Sequence, residues 1–359
     1  MPPRKLSTGK WEANINVNGK RHHKRGFSTK KEAEAYEADY KRMATHDLSM
    51  RFELFVKCYF EDKKSRLKER TVKTKQYMID THITPFFSGK PINKITSKEI
   101  LDWQNEMIGK GYEETYLRML QNQVSALFNH ATRFYGLLDN PCKRTDRIGR
   151  SNAKELQFWT RDEYNTFIAN VEPTDRYFTL FEILFWTGMR CGEALALTLD
   201  DIDFENHQIN IDKTYYRQDK KDLITTPKTE KSVRVVDIPE FLTEEIRNYT
   251  NSIYGLENDM RIFPVVAEAV QHKMKRHIEL SGVKKIRVHD LRHSHVAMLI
   301  NMGVQPISIS QRLGHEKVTT TMNVYGHLYP NTQKEVASKL NELKTLSKYF
   351  TFWISSRRI

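Results

Sequence analysis

The sequence has no apolar run long enough to span a membrane and no apolar segment near its start. A membrane helix needs about 18 consecutive apolar residues, whereas the first twenty residues, MPPRKLSTGKWEANINVNGK, are polar and basic. We therefore expect neither a secretory signal nor a membrane partner. Apolar residues make up 39% and charged residues 29% of the 359 residues, a composition that excludes a collagen, a porin and a wholly disordered chain.

Cysteine is also scarce. The three cysteines, Cys58, Cys142 and Cys191, lie far apart in the chain. An odd and scattered set is not a disulfide framework, and it lacks the spacing of a zinc knuckle. We therefore expect a reducing compartment.

The positive charge is concentrated in the first part of the chain. Residues 1–150 hold 30 Lys and Arg against 18 Asp and Glu, which gives +12 of the total net charge of +13. Clustered cations favour binding to a phosphate backbone, because neutralised phosphates release condensed counterions. A solvated basic face or an acidic protein partner would explain the charge as well, but nucleic acid is the favoured interpretation.

The length predicts two or three domains. Residues 1–48 predict a small β-β-α module with strands at 10–17 and 20–27, a hairpin turn at Asn18-Gly19 and a helix opened by a Thr29/Glu32 capping box. Residues 49–145 predict helices, one with a Thr96/Glu99 capping box and a longer one ended by Asn140-Pro141. Residues 146–154 are polar and basic and predict a linker.

Residues 155–345 predict a mixed, mainly helical domain, followed by a tail at 346–359. Residues 176–187 are apolar nearly all round, which indicates a buried helix. Residues 202–238 alternate as strands do around a polar stretch at 218–231. Pro306 and Gly314 mark the ends of a short helix. The predicted fold class is thus multidomain: a β-β-α module, an all-α domain and a mixed α+β domain.

Four segments of the second half carry side chains suited to a phosphodiester. They are TGMRCGEAL at 187–195, TPKT at 226–229, HDLRH at 289–293, and LGH at 313–315 followed ten residues later by Tyr325. Guanidiniums offer planar forks of donors to non-bridging oxygens. A tyrosine hydroxyl is a usable nucleophile beside cations, and a lysine can protonate a leaving hydroxyl. Singly, each residue is more often structural; their order and spacing together favour chemistry.

This order resembles the tyrosine recombinases, the integrase family of phages and mobile elements. The segment TGMRCGEAL looks like the first signature box of that family, and the segment HDLRHSHVAMLINMGVQPISISQRLGHEKVTTTMNVYGH looks like the second. The helical region is similar to the core-site DNA-binding domain of the family. The β-β-α module looks like the arm-site DNA-binding domain of phage and conjugative-transposon integrases, with DNA contacts expected from Lys20, Arg21, Lys24 and Arg25.

The resemblance implies a role for each motif residue. Tyr325 would attack the scissile phosphate and form a 3′-phosphotyrosyl link. Arg190 and Arg292 would hold the non-bridging oxygens, with Glu193 in a supporting role. Lys228 would protonate the 5′ leaving oxygen from a mobile β-hairpin. His289 would transfer a proton at the tyrosine, and His315 would bond the phosphate.

The resemblance also implies a location, the cytoplasm of a bacterial host cell in association with the nucleoid, and a set of partners. We expect double-stranded attachment sites of core and arm type and a homotetramer on DNA, with a host DNA-bending protein and an excision factor as further partners. No cofactor and no ATP are expected, because the phosphotyrosyl bond keeps the phosphodiester energy. Val336, Leu340, Leu343 and Leu346 recur at helical spacing. This stripe would dock on a neighbouring subunit or fold back on its own domain.

Other functions remain open at this point. His289 and His293, with His295 and His315, could form a zinc site, but no cysteine joins them and Asp290 stands where an HExxH motif has glutamate. We therefore expect no metal, and regard His293, His295 and His327 as structural or supporting residues. The remaining alternatives are a non-catalytic DNA-binding regulator, a type IB topoisomerase, and a resolvase of chromosome or plasmid dimers.

Overall fold

The chain divides into two compact units, residues 1–154 and 155–359. The computed structural model describes residues 2–17, 20–150, 156–227 and 229–329, together with 337, 338, 340 and 341. The predicted turn at Asn18-Gly19, the predicted catalytic Lys228 and the tail therefore lie outside the described residues. No helix in these ranges is both long and apolar enough to cross a bilayer.

The first unit begins with a small antiparallel sheet and one helix. Its elements are β1 (Arg4–Lys5), β2 (Trp11–Val17), β3 (Lys20–Phe27) and α1 (Lys30–Ala44). The strands follow one another in the order β1-β2-β3, so the sheet has one short strand more than the sequence predicted. Ala13 and Ile15 of β2 are buried together with Ala33 of α1. The predicted capping box closes the start of α1, since Thr29 and Glu32 each bond the backbone of the other.

Helices make up the rest of the first unit: α2 (Phe52–Lys63), α3 (Glu69–His82), α4 (Thr84–Phe87), α5 (Ser97–Gly109) and α6 (Glu114–Phe134). The capping box at Thr96 and Glu99 is present at the start of α5. The predicted end of α6 at Asn140-Pro141 is wrong. The helix ends six residues earlier, just before Gly136, whose φ of +75° is left-handed.

The segment predicted to begin the linker packs against the helices. Ile148 lies on the core of the helical region, and the Arg150 amide donates to the carbonyl of Glu114 at 3.2 Å. The side chain of Arg118 donates to the Gly149 carbonyl at 2.6 Å. A Cβ on Gly149 would lie 2.1 Å from the Glu114 oxygen, so this close approach requires glycine.

The second unit packs helices around a small sheet and a hairpin. Its helices are α7 (Arg161–Ile168), α8 (Arg176–Thr187), α9 (Cys191–Ala194), α10 (Glu240–Asn251), α11 (Ala267–Ser281), α12 (Asp290–Asn301), α13 (Pro306–Leu313) and α14 (Val318–Tyr325). Its strands are β4 (Ile202–Asp203), β5 (Gln208–Ile211), β6 (Thr214–Gln218), β7 (Lys221–Thr225) and β8 (Arg234–Asp237). The predicted buried helix at 176–187 and the helix at 306–313 are confirmed, as is the multidomain fold class.

A separate β-hairpin is inserted in the chain between two strands of the sheet of the second unit. Strands β4, β5 and β8 pair in that order, while β6 and β7 pair with each other between β5 and β8. Asp219 and Lys220 form the β6–β7 turn with φ of 51° and 62°. The stretch 218–231, described from the sequence only as polar, therefore contains strand β7. The described residues 226, 227 and 229–233 connect this hairpin to strand β8.

Candidate active site

A buried carboxylate lies between two arginines where α8 gives way to α9. Glu193 Oε1 accepts from Arg190 Nη1 at 2.7 Å, and Glu193 Oε2 accepts from Arg234 Nη2 at 2.9 Å. Oε2 also accepts from the Arg190 backbone amide at 2.9 Å. Only 2% of the Glu193 side chain and 6% of the Arg234 side chain are exposed, against 40% for Arg190. Glu193 thus fixes one buried guanidinium and one half-exposed guanidinium.

The ionisation of Glu193 follows from this pairing. Burial raises the pKa of its carboxyl, but the charges and hydrogen bonds of Arg234 and Arg190 outweigh burial and hold the pKa below its ordinary value. The carboxylate is therefore charged at neutral pH. It balances one of the surrounding positive charges and leaves the cluster cationic.

Arg292 joins this cluster from α12. Its Nη1 donates to the Gly188 carbonyl and its Nη2 to the Leu313 carbonyl, both at 2.8 Å. Burial and then the positive charge of Arg190 lower the pKa of Arg292 to about 9. A bound anion would relieve both effects, so a phosphate oxygen is a favourable ligand at this point. We call Arg190, Arg234 and Arg292 the arginine cage.

Two glycines bring the backbone of the signature segments close to the cage. Gly188 has a φ of +66°, and a Cβ there would lie 2.6 Å from the His295 ring. Gly314 has a φ of +67°, and a Cβ there would lie 3.0 Å from the Lys231 carbonyl and 3.1 Å from Arg234. Both positions need a left-handed backbone and lack space for a side chain, which explains glycine in TGMR and in LGH.

His315 follows Gly314 directly and lies beside the cage. Its Nδ1 is 2.8 Å from Thr321 Oγ1, which fixes the ring. Burial, followed by the charges of Arg292, Arg190 and Arg234, lowers the pKa of His315 to about 4. The imidazole is therefore neutral at pH 7 and can bond a phosphate oxygen without adding charge.

Tyr325 ends α14 and packs with Val296, Ile300, Ile309 and Leu313 in a small apolar cluster. It is 2% exposed. Burial raises the pKa of Tyr325 to about 12, and the charge of Arg292 acts in the opposite direction. The tyrosine is thus a neutral phenol within the field of the cage.

The hydroxyl of Tyr325 forms a hydrogen bond with His293, whose Nδ1 is 2.5 Å away. The ring of His289 stands edge-on to the ring of His293, with centroids 5.3 Å apart. Burial and then the charge of His293 lower the pKa of His289 to about 4. His289 therefore contacts the His293 ring, whereas His293 contacts the Tyr325 hydroxyl. The resemblance had given His289 the role at that hydroxyl.

The structure brings five of the six predicted catalytic residues to one place, namely Arg190, Arg292, His289, His315 and Tyr325. The sixth, Lys228, lies outside the described residues. Close to it in the chain, Lys231 Nζ donates to the Glu316 carbonyl at 3.2 Å. Lys231 therefore lies beside the turn that carries His315.

Sequence reasoning missed Arg234 and the contact made by His293. Arg234 occupies a strand position between exposed valines, where an arginine gives no motif signal. Its burial follows from Glu193, which reaches it from 41 residues away. His293 was expected to be a structural or supporting residue, and its contact with Tyr325 spans 32 residues, a distance that no local spacing indicates. Among the described residues, no cluster of three or more His, Cys, Asp or Glu could hold a metal ion.

Comparison with known proteins agrees with this arrangement. A family model described as the phage integrase family matches residues 157–332. The ICEBs1 integrase of Bacillus subtilis (strain 168) is 32% identical over 96% of this chain and 100% of its own length. The chain belongs to the phage integrase family. It is a tyrosine recombinase, as the motifs predicted.

Two further models match the first unit of this integrase. A phage integrase N-terminal SAM-like domain matches residues 51–108, and an Arm DNA-binding domain matches residues 4–42. Among solved structures, the Tn1549 transposon integrase in complex with a circular intermediate DNA has a TM-score of 0.68 at 18% identity, over 81% of this chain and 98% of that chain. A lambda integrase tetramer bound to a Holliday junction has a TM-score of 0.58 at 16% identity, over 92% and 95%. These similarities confirm the fold.

The β-β-α module of residues 1–48 is called the arm module from here on. Its strand β3 holds the four basic residues expected to contact DNA. Lys24 lies over the Tyr36 ring at 4.6 Å, on the face covered by α1. Arg25 Nε donates to Glu12 at 2.7 Å, and the pairing of β2 with β3 places Arg21 on the same face as Arg25, away from α1. The side chain of Lys20 lies outside what the structure describes.

Proposed function

We propose that this integrase cuts and rejoins DNA at specific attachment sites, and so integrates and excises a phage or another mobile element. The observation that carries the proposal is the burial of a tyrosine hydroxyl beside a cage of three arginines, two of which share one carboxylate. Such a cage fits a phosphodiester, which gains negative charge on its non-bridging oxygens during attack. The similarity to the ICEBs1 integrase along its whole length supports a mobile-element substrate.

Each group in the site would then have a defined task. Tyr325 attacks the scissile phosphorus and leaves a 3′-phosphotyrosyl link and a free 5′-hydroxyl. Arg190 and Arg292 bind the non-bridging oxygens, and His315 adds a neutral hydrogen bond. Lys228 gives a proton to the 5′ leaving oxygen. Rejoining runs the same steps backward on a new strand, so neither ATP nor a metal ion is required.

Glu193 would act on the arginines and not on the DNA. It fixes Arg190 through both the side chain and the backbone amide, so the half-exposed guanidinium is already oriented before a phosphate arrives. Ordering a long side chain in advance reduces the entropy lost on binding. His289 packs on the ring of His293 and would affect proton movement at the tyrosine through that ring.

The first unit would supply DNA affinity. The arm module presents Arg21 and Arg25 on its open sheet face, and with Lys20 and Lys24 we propose them as contacts to an arm-type site. Residues 49–145 would bind the core-type site. Strand exchange would take place in a homotetramer on DNA, assisted by a host DNA-bending protein and an excision factor.

The test is a nicked suicide duplex built from the repeated sequence that flanks the gene. Wild-type protein should form a covalent adduct that survives denaturing gels, whereas Tyr325→Phe should bind the duplex equally well and form none. Tyr329→Phe is the matched control, since Tyr329 lies four residues on and should form the adduct normally. An adduct with Tyr325→Phe, or its loss with Tyr329→Phe alone, would overturn the assignment.

A further inference from the structure

The Tyr325 hydroxyl is held by His293, a histidine to which the proposed function assigns no chemical step of its own. The distance from Tyr325 Oη to His293 Nδ1 is 2.5 Å, and the two ring planes meet at 57° with centroids 5.6 Å apart. This geometry is that of a hydrogen bond and not of ring stacking. The side chain of His293 is 12% exposed, so water has little access to the pair.

The opposite edge of the His293 ring faces a fixed carboxylate. His293 Nε2 is 3.8 Å from Asp290 Oδ1. Asp290 is itself held by Arg287, whose backbone amide donates to Oδ2 and whose Nη2 donates to Oδ1, both at 2.7 Å. A proton on Nε2 therefore lies near negative charge, which favours the tautomer that leaves the Nδ1 lone pair for the tyrosine hydroxyl.

The charges around the pair keep both groups neutral before reaction. Burial lowers the pKa of His293, Asp290 opposes this effect, and Arg287 and Arg292 reinforce it. The titratable and charged groups that face His293 are Asp290, Arg287, Arg292, His289, His315 and Tyr325. With the pKa of Tyr325 raised to about 12, the phenol donates and the imidazole accepts at neutral pH.

We propose that His293 is the catalytic residue that takes the phenolic proton of Tyr325 when the tyrosine attacks DNA, an inference that rests on the proposed function. The O–H bond of Tyr325 breaks, its proton moves to His293 Nδ1, and the freed electron pair forms the bond from oxygen to phosphorus. The bond from phosphorus to the 5′ oxygen breaks, and that oxygen receives its proton from Lys228. In rejoining, the imidazolium returns the proton to the departing phenolate.

The imidazolium formed in this step is stabilised where it arises. It lies between the Asp290 carboxylate and the tyrosine oxygen, whereas the arginine cage binds the phosphate oxygens. The proton thus moves over one short hydrogen bond and away from the cage. His289, which contacts the His293 ring and not the hydroxyl, is a positioning residue in this scheme.

The experiment compares three proteins on two nicked duplexes made from the repeat that flanks the gene. One duplex has a normal phosphate at the cut, and the other has sulfur in place of the 5′ bridging oxygen. A thiolate leaves without a proton, so the sulfur duplex removes the need for Lys228 but not the need to activate Tyr325. His293→Asn is the key variant, because its side-chain oxygen can still accept a hydrogen bond near the Nδ1 position but cannot take the proton.

At pH 7 we expect His293→Asn to form adduct about 100-fold or more slowly than wild type on both duplexes. Lys228→Ala should be slow on the normal duplex and recover on the sulfur duplex. The His293→Asn rate should rise about tenfold per pH unit between pH 7 and pH 9, because hydroxide replaces the missing base, while the wild-type rate stays level. A His293→Asn rate within threefold of wild type, or recovery on the sulfur duplex, would overturn the proposal.

Two controls separate the causes of failure. If wild type forms no adduct on either duplex, the proposed function is wrong; if wild type forms it and His293→Asn equals wild type, this inference alone is wrong. Should His293→Asn not fold, wild-type protein with 3-fluorotyrosine at position 325 gives a second readout. Its fluorine resonance should shift as His293 is protonated below pH 6.5, and a resonance unchanged from pH 4.5 to pH 8 would overturn the hydrogen bond and the proposal.

Discussion

Removing the Glu193 carboxylate should destabilise the catalytic unit strongly. Glu193→Ala leaves Arg234, whose side chain is 6% exposed, without its counter-charge. Removing one partner of a buried ion pair costs about 3–5 kcal/mol. The pair with Arg190 adds little to this loss, because Arg190 is 40% exposed and its charge is screened by water. A loss of about 4 kcal/mol corresponds to a melting temperature lower by about 10 °C in a unit of this size.

Glu193→Gln separates shape from charge at the same position. Glutamine keeps one acceptor oxygen and can accept from one of the two arginines, but its NH2 group cannot accept from the other. The charge-assisted part of the bonds is also lost, so we expect a loss of about 2 kcal/mol. The difference from wild type should depend on pH. The folded-state pKa of Glu193 lies below the ordinary value of 4.5, so its stabilisation is present above pH 4.5 and is lost as the pH falls through the folded-state pKa.

Urea unfolding followed by circular dichroism measures both effects, with Glu244→Ala as the control. Glu244 forms an exposed ion pair with Arg247, with 50% and 40% of the side chains exposed, and its removal should change the unfolding free energy by less than about 1 kcal/mol. If Glu193→Ala also costs less than 1 kcal/mol, the carboxylate does not stabilise the cage. In a folded Glu193→Gln protein, DNA binding should persist while cleavage slows, because Arg190 loses its orientation but not its charge.

Four further outcomes are expected. Burial and the nearby charge of Glu182 raise the pKa of Glu245 to about 7, so stability should fall as the pH rises from about 4.5 to 7, and Glu245→Gln should raise the melting temperature at pH 8 but not at pH 4. Cleavage of a nicked duplex should continue in EDTA; loss of cleavage that Mg²⁺ or Zn²⁺ restores would indicate a metallonuclease. Deleting residues 1–48 should abolish arm-site binding and its share of the salt dependence but preserve core-site binding; equal loss at both sites would contradict separate roles. Leu340 is 60% exposed, so Leu340→Glu should leave the melting temperature of the monomer unchanged and block strand exchange. A large fall in the melting temperature would instead show that Leu340 packs in the core of its own domain.

Local sequence signals predicted the ends of several elements well. The predicted capping boxes at Thr29 and Thr96 are both formed, because a side chain three residues from its partner needs no tertiary information. Strand β7 was not predicted, because the turn before it has no clear local sequence signal. The turn between β6 and β7 consists of Asp219 and Lys220, both with left-handed backbone. Sequence patterns predict such turns mainly from glycine and asparagine, and neither residue is present at these positions.

The residues of the active site likewise fall into those that the sequence predicted and those that it did not. Motif order indicated which residues meet, and the structure brings together those motif residues that it describes. The partners that tune them could not be predicted, since Arg234 and His293 acquire their contacts from packing between distant elements. No spacing in the sequence shows that Arg234 of β8 is buried on Glu193, or that His293 and not His289 bonds Tyr325.

The two carbonyls that hold Arg292 also determine when this integrase can become reactive during its own folding. Gly188 lies 104 residues and Leu313 lies 21 residues from Arg292 along the chain. Contacts between distant residues form late, because loop closure loses entropy before the contact is made. A nascent chain could therefore expose its basic first part to DNA well before it holds a formed arginine cage. Sampling adduct formation at increasing refolding times should show cutting ability appear only with the slowest folding phase, so that the integrase cannot break DNA before its catalytic unit has folded.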